Sequence, residues 1–202
     1  MRIPRIKTKH REEARNQIVA AALAIAAKNG WDAVTLDAIA QHVGVTKPAL
    51  YSYFENRDEL LHEVVLEVIL NMRNEIETIV TKDDDIRFII QKLAWLLFEQ
   101  QKTYASIFFL LPTRPPQAPE YREEFIQIFD SSRILIRDCL VRVKGEGQLT
   151  PGVDPDKATS IVIAMSMGLL ISSDFLEMDA GEAKTIWIEA VERTLLLEPG
   201  AE

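Results

Sequence analysis

Residues 34–57 read VTLDAIAQHVGVTKPALYSYFENR, and the fold follows from this stretch. Leu36, Ile39, Ala40 and Val43 recur at i, i+3, i+4 and i+7, so one face of a first short helix is apolar. Thr35 stands where an N-cap hydroxyl is favoured. Asp37 places an acid in the first turn, against the positive end of the helix dipole. Gly44 can take φ > 0, which ends that helix and starts a tight turn. Thr46 then caps a second helix, with Val45 placed to pack on Leu50 as a hydrophobic staple. Pro48 falls in the first turn, where its missing N–H costs nothing. Leu50 and Phe54 share the inner face. Lys47, Ala49, Ser52 and Tyr53 point elsewhere, and Tyr51 lies at the margin. Two short helices around one glycine, the second presenting small, basic and aromatic groups, form a helix-turn-helix. Such a motif reads DNA with its second helix.

The charge distribution agrees with that reading. Net charge over the 202 residues is −8, the wrong sign for a DNA binder as a whole. Residues 1–57, however, hold nine Lys/Arg against five acids, and the remainder holds fourteen against twenty-six. A basic head on an acidic body concentrates attraction for phosphate at one end. The hydrophobic fraction of 48% and charged fraction of 27% are those of an ordinary globular protein. A single cysteine, Cys139, excludes an internal disulfide and suits a reducing cytoplasm. The longest apolar run, 161–172, is too short to span a bilayer. The N-terminal MRIPRIKTKHR is basic but has no apolar core of a secretory signal. Nothing predicts a membrane partner.

The chain reads as all-α, with about nine helices and a division at 57/58. The predicted segments are 11–29, the two short helices above, a long helix opened by Asn56 and Glu59 as a capping box, and one from Asp85 to about 101. A short helix near 104–111, then 120–144, 154–175 and a last helix opened by Asp179 complete the list. The 154–175 helix is apolar nearly all round: IVIAMSMGLLIS leaves no wide polar face. Such a helix is buried on more than one side. Ala164 and Gly168 are small enough for close helix approach, which predicts a two-fold dimer seam here, with Trp187 on the last helix joining it.

The segment TKPALYSYF at 46–54, followed by NRDELL at 56–61, resembles the DNA-binding signature of the TetR/AcrR family of bacterial repressors. Residues 18–30, Trp31, Thr35, Ile39 and Ala40 are similar to that family's first two helices. The resemblance covers roughly residues 10–62. It implies a three-helix DNA-binding head, a helical ligand-binding and dimerisation body, and a four-helix seam built from the last two helices of each protomer. It also implies phosphate contacts from Tyr51 and Tyr53, with Tyr51 reaching a base as well. Ser52 departs from the aromatic residue often found at that position. From side-chain chemistry, Lys47 suits guanine O6/N7, while Pro48 and Ala49 suit a thymine methyl. Thr46 belongs to the same surface. Thr35 and Arg57 suit phosphates, and Arg2, Arg5, Lys7 and Lys9 form a basic arm.

No catalytic, cofactor or metal constellation emerges. The one E-x-x-H, Glu59 to His62, has no second copy, and the three histidines lack zinc spacing. The body is rich in aromatics. Phe88, Trp95, Phe98, Phe125 and Phe129, closed by Met165 and Leu169, are the predicted lining of a pocket for a small apolar or aromatic effector. The reading is a cytoplasmic homodimeric repressor, binding a palindromic double-stranded operator and released by such an effector. Two other readings stand beside it: an architectural or constitutive DNA binder without effector, and an all-α carrier or enzyme.

Overall fold

The computed structural model describes residues 5–30, 33–82, 85–99, 119–173 and 176–195. Among these are eight helices and no strand. They are α1 (Arg5–Asn29), α2 (Leu36–Val43), α3 (Lys47–Leu50), α4 (Arg57–Lys82), α5 (Ile86–Glu99), α6 (Pro119–Gly145), α7 (Pro155–Ser172) and α8 (Ala180–Thr194). The helix expected near 104–111 lies outside the described residues. α1 begins six residues before the expected Arg11, because 5–10 (RIKTKH) holds good helix formers and no interior breaker. Most of the expected arm is therefore helix: Arg5, Lys7 and Lys9 belong to α1, and Arg2 is not described.

The chain divides into two compact units, Met1–Val68 and Ile69–Glu202. The expected division at 57/58 coincides with the start of α4. The first unit runs further because Leu60 and Val64, from the opening turns of α4, are fully buried in the head core with Ile18, Ala22, Val34, Ile39, Leu50 and Phe54. Val45 is exposed and lies outside that core, so no staple onto Leu50 forms.

Caps set the element boundaries. Thr35 is extended and its hydroxyl accepts from the Ala38 N–H at 3.1 Å. Gly44 takes φ +79°, ψ +29°, and its N–H closes onto the Ala40 carbonyl at 2.9 Å. Asn56 accepts from the Glu59 N–H at 2.9 Å, but Glu59 returns its carboxylate to the Glu55 N–H, one residue before the cap. Asp85, Asp154 and Asp179 accept from the opening N–H groups of α5, α7 and α8.

In the second unit α5 packs along α8, and α7 packs on both α6 and α8. Phe98 and Trp187 are fully buried between α5 and α8, their rings 6.3 Å apart and tilted by 58°. Two long-range bonds fasten the loops. The Ile86 N–H donates to Gln148 Oε1 (2.9 Å), and Arg142 donates to the Val80 carbonyl (3.0 Å). Cys139 is buried, and burial pushes its thiol pKa up, the direction of an unreactive core thiol.

A Cβ at Gly44 meets nothing within 4 Å, so the constraint there is φ and not space. Gly44→Ala is expected to cost about 1–2 kcal/mol through the left-handed backbone. A drop in the urea midpoint with an unchanged slope is the measurement that checks it.

Candidate functional site

The outward surface of the head is built by the turn between α2 and α3. Thr46 occupies the N-cap of α3 in extended conformation but makes no capping bond with its side chain. Lys47 and Pro48 occupy the first turn, and α3 is only four residues long. The chain then tightens. Ser52 and Tyr53 donate their N–H groups three residues back, to Ala49 and Leu50, and Phe54 donates four back to Leu50. Leu50 and Phe54 are buried by this winding. Thr46, Lys47, Pro48, Tyr51 and Ser52 are exposed, while Ala49 and Tyr53 are half-buried. Thr35 is exposed at the start of α2. The Ser52 hydroxyl is committed to the Ala49 carbonyl at 2.6 Å. The Arg57 side chain lies outside the described residues.

Lys47 Nζ meets Asp37 Oδ2 at 2.9 Å, joining the first turns of α2 and α3. The hydrogen bond to Asp37, then its charge, raise the Lys47 pKa, so the ammonium is charged at any physiological pH. Both partners are exposed, and such a pair contributes little to stability. Lys47 can therefore leave Asp37 for a better acceptor at small cost.

The surface is held from behind by Arg15 of α1. Its guanidinium donates to the Tyr53 carbonyl (2.6 Å), to Glu59 Oε1 (3.2 Å) and to Glu63 Oε1 (2.8 Å). It lies 4.4 Å over the Phe54 ring. Arg11 adds a bond to the Ser52 carbonyl at 3.2 Å. One planar cation thus ties α1, the end of the reading segment and α4 together. A fork of five donors can do this and a lysine cannot. In the sequence Arg15 is one basic residue among nine. Its only signal is a position on α1 beside the apolar Ile18–Val19 face.

The second unit contains a cavity of about 570 Å³. Its walls are Met72 and Ile76 of α4, Leu93 and Leu97 of α5, Phe125, Phe129 and Ile136 of α6, Val162, Ile163, Met167 and Leu170 of α7, and Trp187 of α8. Two of the sequence-predicted lining residues, Phe125 and Phe129, are on this wall. Phe88 and Trp95 are not: about half of each is exposed. At 3.6 residues per turn, Trp95 lies about 200° around α5 from both Leu93 and Leu97, on the opposite face. Phe88 is two turns before Trp95, under the Lys92 ammonium at 4.3 Å. Phe98 turns to Trp187 instead. Met165 and Leu169 are half-exposed, flanking the wall of Val162, Ser166 and Leu170. Trp187 is not on an outer seam. It is fully buried, and its Nε1–H donates to Ser166 Oγ at 2.8 Å. Indoles seek a core position with a partner for their N–H. Ala164 and Gly168 are exposed on the outer face of α7, one turn from exposed Ile161.

Polar groups enter the wall at a few points: Arg122, Asp130, Ser132 and Arg133 on α6, and Ser166 on α7. Among the described residues no group of three or more His, Cys, Asp or Glu could hold a metal ion. No described helix is long and apolar enough to cross a membrane.

Residues 18–64 match the family model for bacterial regulatory proteins of the tetR family. Over this stretch the head is similar to the DNA-binding domain of that family. The HTH-type transcriptional regulator YerO of Bacillus subtilis (strain 168) is 24% identical over 186 residues, which are 89% of this chain and 64% of that protein. This chain thus spans less than two thirds of that relative's length. A regulator from Saccharomonospora viridis, solved with choline, superposes with a TM-score of 0.74 at 17% identity, covering 93% of this chain and 97% of its own. FadR from Bacillus subtilis, solved with stearoyl-CoA, superposes at 0.63 with 18% identity, covering 89% and 98%. Likenesses at this identity show the shared all-α fold alone.

Arg15→Ala is expected to destabilise the head by about 2 kcal/mol, since the bonds are charge-assisted but partly exposed. Arg15→Lys should recover only a part. Hydrogen exchange of the amides of 52–55 in both variants tests this, and protection equal to wild type would refute the clamp.

Proposed function

We propose that this chain is a TetR-family regulator: a homodimeric, ligand-responsive transcriptional repressor that binds a palindromic operator in the cytoplasm and leaves it when a small, largely apolar effector binds. The observation that carries the DNA-binding half is the exposed row Thr46, Lys47, Pro48, Tyr51 and Ser52, backed by the Arg15 clamp and the left-handed turn at Gly44. In this reading Lys47 meets a guanine edge. Pro48 and Ala49 meet thymine methyls, and Thr35, Tyr51, Tyr53 and Arg57 hold phosphates. The half-buried Tyr53 and Ala49 then contribute edges and not whole side chains.

The cavity supports the effector half. Its volume lies within the range of small-molecule sites, and its wall is mostly hydrophobic. Two proteins of the same fold hold choline and stearoyl-CoA respectively. A constitutive regulator without effector does not account for a cavity of this size. The dimer half rests on the outer face of α7, where Ile161, Ala164 and Gly168 form an exposed apolar and small-residue stripe at i, i+3 and i+7. Two-fold pairing would give two heads for successive major grooves, about 34–36 Å apart.

Titration on operator and scrambled DNA at several salt concentrations separates the roles of two residues. Lys47→Ala should weaken operator binding roughly ten- to a hundredfold and relax one base position. Arg57→Ala should weaken all sequences evenly and reduce the salt slope by about one unit. Indistinguishable behaviour of the two variants would contradict these assignments.

Gly168→Glu should place a charge in the proposed seam and yield monomers with an unchanged helical signal. Sedimentation at micromolar concentration decides this: a wild-type monomer would remove the dimer from the reading.

A further inference from the structure

The polar groups on the cavity wall differ in what they have left to offer a ligand. Ser132 donates its hydroxyl to the Ile128 carbonyl at 3.0 Å. Ser166 donates to the Val162 carbonyl at 2.8 Å and accepts from Trp187, whose only donor is thereby used. Arg133 and Asp130 form an exposed pair at 2.7 Å, so the one acid on the wall already has a cation beside it. The remaining charged group is Arg122. Among the described residues it has no carboxylate partner. It is exposed, in the first turns of α6, while the aromatic wall at Phe125 and Phe129 continues along the same helix. Glu123 and Glu124 follow it but point about 100° and 200° around the helix, and neither is on the wall. The α6 dipole adds positive potential at this end.

This pattern has a chemical consequence. A long apolar interior without a spare donor suits an alkyl chain. A cation at the rim, where solvent still reaches it, suits an anionic head that need not be fully desolvated. A quaternary ammonium ligand meets aromatic faces here, but the wall sets two cations, Arg122 and Arg133, against the single acid Asp130. We propose that the cavity binds a long-chain monocarboxylate, its tail between Met72, Ile76, Phe129 and Leu170 and its carboxylate on Arg122. This rests on the effector reading above and narrows it to an anionic amphiphile.

Calorimetric titration with three probes of equal chain length, each kept below its micellar concentration, tests it: palmitate, hexadecanol and hexadecyltrimethylammonium. Palmitate should bind the full chain roughly two- to fivefold more tightly than hexadecanol, the range of a solvent-exposed ion pair. Arg122→Gln should erase that gap while hexadecanol binding is unchanged, and Arg122→Lys should keep most of it. Arg122 is exposed, so neither variant threatens the fold. Equal binding of palmitate and hexadecanol, tightest binding of the ammonium, or a gap that persists in Arg122→Gln would overturn the proposal. The same palmitate added to the DNA titration separates the two readings. Binding with the Arg122 signature but without loss of DNA affinity supports the carboxylate site and overturns effector release.

Discussion

The geometry of the head depends on one guanidinium. A helix-turn-helix must present a short, exposed segment in a fixed direction, yet a helix of four residues cannot hold itself in place. Here the burial of Leu50 and Phe54 supplies adhesion without direction, because apolar contact is not directional. Arg15 supplies the direction. Its donors reach a backbone carbonyl at the end of the segment and two carboxylates on α4, and its plane covers Phe54. Breaking any one contact leaves the others, but removing the side chain leaves two acids and a carbonyl without a shared cation.

The exposed groups around this clamp follow a different rule. Lys47 and Asp37 form a pair that adds little to stability because both are solvated. Weakness is useful at a reading surface. A lysine held by a strong internal partner would have to abandon it for DNA and would lose the difference in affinity. An exposed partner keeps Lys47 charged and near the first turn of α3 while leaving it free to exchange acids. Asp37 also places a negative charge beside the surface, which works against indiscriminate phosphate binding.

Local chemistry made the head legible and left the body ambiguous. Thr35, Gly44 and Asn56 act through their own neighbours within four residues, so spacing alone identifies them. Helix periodicity likewise identifies most of α4 to α8. The failures concern direction. Phe88 and Trp95 are as aromatic as Phe125 and Phe129, and their residue types alone do not say which side of α5 faces the cavity. The periodicity of α5 does say it: Ile86, Ile89, Ile90, Leu93 and Leu97 recur at helical spacing on the inner face, and Phe88 and Trp95 fall outside that stripe. Trp187 is legible as an anchor but not as an inward one, since only Ser166, twenty-one residues away, accepts its N–H. Val45 had the spacing of a staple, yet the tight left-handed turn at Gly44 leaves it in solvent.

α4 has residues of both roles along one continuous helix. Leu60 and Val64 belong to the head core and Glu59 and Glu63 to the Arg15 clamp, whereas Met72 and Ile76 belong to the cavity wall. On the proposed function, occupancy of the cavity acts on DNA affinity only if the ligand distinguishes two arrangements of this helix. A ligand that packs equally well against Met72 and Ile76 in both changes nothing, however tightly it binds. The coupling is also reciprocal: whatever factor the ligand takes from DNA affinity, DNA takes from ligand affinity. An alkyl chain is well suited to such discrimination. Its contacts are many and individually small, and a shift of the α4 wall would lose several of them at once.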